Sequence, residues 1–323
     1  MAPHPLIFDR GLVRARLARA AALGPSTFLM ERLAEDLSDR LATVLRRFDC
    51  ALDLGTPTDA ARRALAASGK VATLISAGAH AGRDFSPGVR DHTRHASTAA
   101  HARSAPDDTR LHVVADEEML PFRDASLDLV VSLLALQFIN DLPGTLVQIR
   151  RALKPDGLLL AAIAGGDTLT ELRQAFVAAE AEIEEGVSPR VIPCVDVREM
   201  GALLQRAGFA LPVTDSDRIT ARYASPAALM QDLRRMGATN PLLERSRRPL
   251  KRATLARMMA SYGQRFADAD GRVRATFEIV WLSGWAPHAS QQQPLAPGSA
   301  RRRLADALGT NEVTMPGTRG DDQ

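Results

Sequence analysis

The chain has 323 residues, 46% of them hydrophobic and 24% charged, with a net charge of +3 and two cysteines. That length buries one full α/β core of roughly 200–250 residues and leaves sequence for a subdomain. No apolar run reaches the roughly 18–20 residues of a membrane-spanning helix. Cys50 and Cys194 are too few for a disulfide framework and lack metal-ligand spacing, so a protein of a reducing cytoplasm is expected.

Lysine occurs only at Lys70, Lys154 and Lys251; the arginine bias fits a GC-rich bacterial genome rather than a nucleic-acid groove. The Arg-rich start, Met1 to Leu17, carries Asp9 early and is not read as a targeting segment. From Gly11 to Phe48 apolar residues recur at helical spacing, as in Leu33, Leu37, Leu41 and Leu45, which predicts two helices. Ala51–Leu54 then reads as a strand ending at Gly55, Asp59 to Ala67 as a helix, and Val71–Ile75 as a second strand, a βαβ start.

Ser76 to Asp108 is poor in aliphatic residues and rich in turn formers, so a long loop or insertion is expected. Leu111–Ala115 and Leu127–Val131 predict two more strands, and Thr145–Leu153 a helix. Lys154-Pro155-Asp156-Gly157 reads as a turn before a buried strand, Leu158–Ile163. A helix lies between Thr168 and Glu185, another over Val197–Ala207, then an extended segment from Phe209 to Ile219. Ser225–Met236 and Arg252–Phe266 predict helices and Ala275–Trp285 a late strand. The expected organisation is N-terminal helices over 1–48, a core over 49–222, C-terminal elements packing on it over 223–308, and a disordered tail over 309–323.

Strand, Asp-Leu-Gly, helix, an acid after the third strand and a Lys-Pro-Asp-Gly turn occur in the order of class I S-adenosylmethionine-dependent methyltransferases. The expected fold is therefore Rossmann-like, a mostly parallel sheet with flanking helices. A narrower resemblance is to the complex I assembly factor 5 family, the methyltransferase-like protein arginine hydroxylases. It rests on Ile7-Phe8-Asp9-Arg10, Ala115-Asp116-Glu117-Glu118-Met119-Leu120-Pro121-Phe122, Asn140-Asp141-Leu142-Pro143, Gly165-Gly166-Asp167-Thr168-Leu169 with Glu171-Leu172-Arg173, and Arg206-Ala207-Gly208-Phe209. Ser290-Gln291 and Pro297-Gly298-Ser299-Ala300 resemble the family's ending.

That resemblance implies a protein substrate, a subunit of respiratory complex I, whose arginine is hydroxylated, with methyl transfer kept open. The arginine bias leaves no nucleic-acid partner expected, and any membrane association would be peripheral, through complex I. The malonyl-carrier-protein methyltransferases look like broader relatives that share the core but not the C-terminal block. Two alternatives stand beside this reading: a non-catalytic assembly chaperone that has lost the cofactor, and a small-molecule carboxylate methyltransferase.

Asp53 and Gly55 are the first candidate cofactor residues, because glycine lets the methionine end of S-adenosylmethionine approach backbone. Where the family resembles Asp-Leu-Gly-x-Gly-x-Gly, this chain has Pro57 and Asp59, which weakens the site; Ser76 stands where an acid would grip the ribose. Asp116 is the candidate for the adenine amino group, with Glu117 supplying the adjoining backbone N–H. Ser132 and Leu133 lie where the resemblance places cofactor-facing residues. Leu136-Gln137-Phe138 replaces a Leu-His-Trp step, removing a candidate general base, and no catalytic residue is assigned.

Asp167 or Thr168 is expected to cap the following helix, and a substrate arginine paired with Asp167 is the sharper alternative. The acidic run Glu180, Glu182, Glu184 and Glu185 is read as a solvated face or a greeting for a basic peptide. The basic run Arg245, Arg247, Arg248, Lys251 and Arg252 is read as a solvated face, with contact to phosphates or an acidic partner as the alternative. His80, His92, His95 and His101 fall in the expected loop, no metal site is assigned, and Tyr223, Trp281 and Trp285 are expected to pack the C-terminal layer.

Overall fold

Apolar runs buried on both faces build the centre of the fold. β1 (Phe48–Leu54), β4 (Leu127–Leu133) and β5 (Leu153–Ala164) are almost wholly enclosed over their second halves, as parallel strands covered by helices on both sides must be. The structure, a computed structural model, describes residues 6–79, 110–184, 186–292 and 309–310. With β2 (Val71–Gly78), β3 (Arg110–Val114), β6 (Ala210–Tyr223) and β7 (Val273–Trp285), these strands form one seven-stranded sheet in the order β3-β2-β1-β4-β5-β7-β6. β1 to β5 run parallel. β7 runs antiparallel between β5 and β6. This is the Rossmann-like class I methyltransferase fold implied by the order of the motifs, and the late strand is a member of the sheet itself.

The helices are α1 (Arg10–Ala22), α2 (Phe28–Thr43), α3 (Ala60–Ala67), α4 (Leu142–Ala152), α5 (Thr170–Ile183), α6 (Val197–Arg206), α7 (Pro226–Arg235) and α8 (Arg252–Phe266). Side chains alternate along β5, so Leu158 and Leu160 pack with α2, α3, α5, α7 and α8, while Leu159 and Ala161 pack with α4 and α6. The four-residue spacing of Leu29, Leu33, Leu37 and Leu41 puts one stripe of α2 into the first layer, each fully buried leucine stabilising by about 1.5–3 kcal/mol. Leu45 lies past the end of that helix and is exposed. Side-chain caps set helix starts where the sequence supplies Asp or Ser: Asp9 accepts from the Leu12 N–H, Asp141 from Gly144, Asp196 from Arg198 and Glu199, and Ser225 from Ala228.

Three expectations are corrected. β2 continues through Ser76, Ala77 and Gly78, paired with His112, Val113 and Val114 of β3, so the non-strand segment starts later than Ser76; residues 80–109, with the four histidines, lie outside the described residues. Lys154-Pro155-Asp156-Gly157 is the irregular first part of β5, with Asp156 at φ +63° and a register shift against β4. The Lys154 ammonium pairs with Asp128 at 2.9 Å and Asp156 pairs with Arg46, which fixes that bulge. Neither Asp167 nor Thr168 caps α5, because Leu169 occupies the cap position in the left-handed region, at φ +55°.

Residues His288–Gln323 form a separate unit. In its described part the Gln291 N–H donates to the His288 carbonyl at 3.2 Å. The expected disordered tail falls, apart from residues 309–310, outside the described residues. Among the described residues no helix is long and apolar enough to cross a membrane.

Candidate functional site

In open α/β sheets a ligand binds beyond the carboxyl ends of the strands, where the strand order reverses. Here that place lies between β1 and β4. The chain leaves β1 through Gly55 at φ +70°, where a Cβ would sit 2.9 Å from that of Ala135. A Cβ on Gly78, at the end of β2, would lie 3.1 Å from the Gly55 Cα. Both glycines are required by close approach, and together they leave backbone exposed to a ligand.

Asp53 stands two residues before that glycine, buried, with Oδ1 lacking any hydrogen-bond partner. Burial pushes its carboxyl up to about 7, against a hydrogen bond from Thr56 and the field of Arg62. The Thr56 hydroxyl also accepts from the Leu133 N–H at 3.2 Å, tying the turn to the end of β4. An orphaned carboxylate oxygen of this kind costs stability unless a ligand supplies a donor.

A carboxylate from another element reaches the end of β2. Glu117 is buried, and its Oε1 accepts from the Ala79 N–H at 3.1 Å and lies 3.1 Å from the Cβ position of Gly78. It is held by Arg10, whose guanidinium also reaches Asp116 at 2.7 Å. Asp116 is more exposed, also faces Arg14 at 3.7 Å, and accepts from the Glu118 N–H within its own turn. A cavity of about 80 Å³ at this corner is lined by Arg10, Asp53, Gly55, Pro57, Ser76 and Glu117 among others; Asp116 is not among its lining residues. It opens beside a second cavity of about 380 Å³, a volume within the usual range for small-molecule sites.

The remaining sequence candidates are placed as follows. Ser132 is buried and donates to the Leu54 carbonyl at 2.8 Å, and Leu133 is core, so both hold the corner from behind. Leu134 and Ala135, just after them, line the first cavity. Asp59 pairs with Arg63 one turn along α3. Asp167 pairs with Arg218, and its N–H donates to Glu278 at 2.8 Å. The Thr168 hydroxyl bonds the backbone of Glu278 at 2.9 and 3.1 Å.

The acidic run serves the fold. Glu180 is buried against Arg190 and Ser188, which corrects both the solvated-face and the peptide-greeting readings there; Glu182 is exposed and pairs with Arg257 on a solvated face, Glu184 bonds Lys251 and Thr254, and Glu185 lies outside the described residues. The basic run is partly absorbed in the same way, Arg245 facing Asp9 and Lys251 facing Glu184. Trp281 is buried under Arg40, Trp285 lies under Arg46, and Tyr223 donates to Asp232, so the aromatic residues pack as expected. Among the described residues no cluster of metal-ligating side chains occurs.

Residues 52–161 match a family model described as a methyltransferase domain. The human mitochondrial arginine-hydroxylase NDUFAF5 is 36% identical over 314 residues, which cover 96% of this chain and 86% of that protein. Its zebrafish counterpart, from Danio rerio, is 35% identical over 306 residues, 93% of this chain and 89% of that one. The chain belongs to the arginine-hydroxylase NDUFAF5 family. It shares its superfamily with malonyl-[acyl-carrier protein] O-methyltransferases. The one from Methylovorus is 33% identical over 310 residues, 95% of this chain and all of that one. That similarity is not confined to the core, contrary to the expectation for these relatives.

Several residues that carry the family resemblance now have physical roles, while Pro297-Gly298-Ser299-Ala300 lie outside the described residues. Phe8 stacks edge-on against Phe138 at 6.1 Å, Asp9 caps α1, and Arg10 holds Asp116 and Glu117. Asn140 accepts from the Ile7 and Phe8 N–H groups, each at 2.8 Å. Gly165 leaves room for Glu278, whose carboxyl would stand 2.7 Å from a Cβ there, and Glu171 accepts from Thr276 on β7. Sequence reasoning missed the Glu117 side chain, α1 as a wall of the corner, and the second cavity. The only signal for the first two was Arg10 in the N-terminal motif.

Proposed function

We propose that the protein binds S-adenosylmethionine at the corner between β1 and β4 and modifies an arginine side chain on a subunit of respiratory complex I during its assembly. The observation that carries this reading is the similarity to arginine hydroxylases over more than nine-tenths of the chain. The corner supports it: the unpartnered oxygen of buried Asp53 suits the ammonium of the cofactor's methionine end, and Gly55 and Gly78 give it bare backbone. Glu117 takes the place of the missing acid at the end of β2 and would face the ribose hydroxyls. Asp116 would serve the adenine amino group once released from Arg10 and Arg14. When bound, the cofactor supplies an electrophilic methyl group.

Pro57, Asp59 and Ser76 are read as lowering cofactor affinity, since Pro57 lacks an N–H and Ser76 replaces a carboxylate. Asp167, already paired with Arg218, would take a substrate guanidinium only by exchange, and Thr168 would orient that loop. A bacterial cytoplasmic setting fits the two free cysteines, and membrane contact would come through complex I. A second reading, methyl transfer to a carboxylate, is favoured by the chain-long similarity to the malonyl-[acyl-carrier protein] enzymes.

Mass spectrometry of complex I subunits from a strain lacking the gene tests the first reading. One arginine peptide should lose one oxygen or one methyl relative to wild type; identical peptides overturn it.

A further inference from the structure

The second cavity, of about 380 Å³, has a lining that specifies a ligand. Its walls are mostly apolar, among them Leu29 and Met30 of α2, Leu172 and Phe176 of α5, Met230 of α7 and Phe277 of β7. Its charged lining residues are Arg16, Arg190, Arg234 and Arg235, and among the described residues no Asp or Glu lines it. Arg190 is neutralised by Glu180 behind the wall, and Arg235 donates to the Gly24 carbonyl at 2.7 Å.

Arg16, Arg234 and Arg235 therefore have no carboxylate partner among the described residues. The Arg234 side chain has no ion-pair or hydrogen-bond partner among the described residues. Arg16 gives one nitrogen to the Thr239 carbonyl at 2.6 Å, and burial together with Arg245 and Arg19 holds its pKa below the usual arginine value. A cation crowded by other cations gains most from an anion. The cavity shares Leu17, Ala21, Pro57, Thr58, Leu134 and Phe138 with the cofactor corner, so a ligand in it would lie next to the place assigned to the methionine end.

We propose that this chamber binds a medium-chain anionic amphiphile, a fatty-acyl chain laid among the apolar walls with its carboxylate at Arg16 and Arg234. A guanidinium finds no carboxylate in the described lining, so a substrate arginine would not be received here. The inference goes beyond the function proposed above, because it requires neither methyl transfer nor hydroxylation.

The test is isothermal titration of the purified full-length protein, without S-adenosylmethionine, with octanoate, decanoate, decanol and decylguanidinium. Decanoate should bind more tightly than octanoate by about fourfold per added methylene, and more tightly than decanol. Arg234→Ala alters an exposed helical side chain; it should weaken decanoate about tenfold and leave decanol unchanged. Met230→Trp, which fills the chamber, should remove both. Decanoate binding no tighter than decanol, tighter binding of decylguanidinium, or indifference to Arg234→Ala would each overturn the proposal. Such a failure would leave the peptide-mass result, and hence the proposed function, untouched.

Discussion

Asp53→Asn changes one titratable group in a fully enclosed place, and its consequence has a definite sign. The native carboxyl keeps its proton up to about pH 7, whereas the unfolded chain gives it up near 3.8. Between those values the native state binds more protons, so stability falls as pH rises, by about 4 kcal/mol across the whole window. The amide of the variant does not titrate and carries no such dependence. Urea unfolding of both proteins should therefore show the wild type losing about 2–3 kcal/mol relative to the variant between pH 5 and pH 8. Parallel pH profiles would refute the reasoning, because they would mean that Asp53 is already ionised and satisfied in the native protein.

Gly55→Ala forces a side chain into φ +70° and against Ala135; thermal unfolding should report a loss of about 1–3 kcal/mol, whereas Gly69→Ala, with open space around it, should lose less. Arg10→Ala takes the guanidinium from the Glu117 carboxylate and leaves it the Ala79 N–H, which should cost about 2–3 kcal/mol in urea unfolding at pH 7. Adding Glu117→Gln to that variant should recover part of the loss; a double-mutant cycle with no coupling would contradict the pairing. Glu278→Ala removes the acceptor of the Asp167 N–H and should cost about 1 kcal/mol by the same assay, with hydrogen exchange of that amide accelerated.

The fold was legible where periodicity and turn chemistry agree. The leucine spacing marked α2 as a helix, and the apolar runs of β1 and β4 gave strands whose bounds hold to within a few residues, whereas β5 begins at Leu153, before the run at Leu158. The Lys-Pro-Asp-Gly stretch misled because its turn residues are used in a bulge, held by Asp128 and Arg46 from distant parts of the chain. Asp167 and Thr168 misled for a similar reason: β7 offers Glu278 as a partner, and no local pattern shows which strand will lie beside a loop. At the site, Asp53 and Gly55 were readable from the strand-end motif, while Ser132 and Leu133 turned out to support the corner from behind. Glu117 was found for its backbone but not for its side chain, because its role depends on Arg10 reaching across from α1. The second cavity has no local signature at all, since its walls come from helices and strands far apart in sequence.

Acceptance of S-adenosylmethionine by the corner at Asp53 is the central claim. Calorimetric titration of the cofactor into the purified protein at pH 8, with Asp53→Asn titrated alongside, tests it most directly. Saturable binding to the wild type, lost in the variant, is the predicted result. No heat in either protein, or equal binding by both, would contradict it.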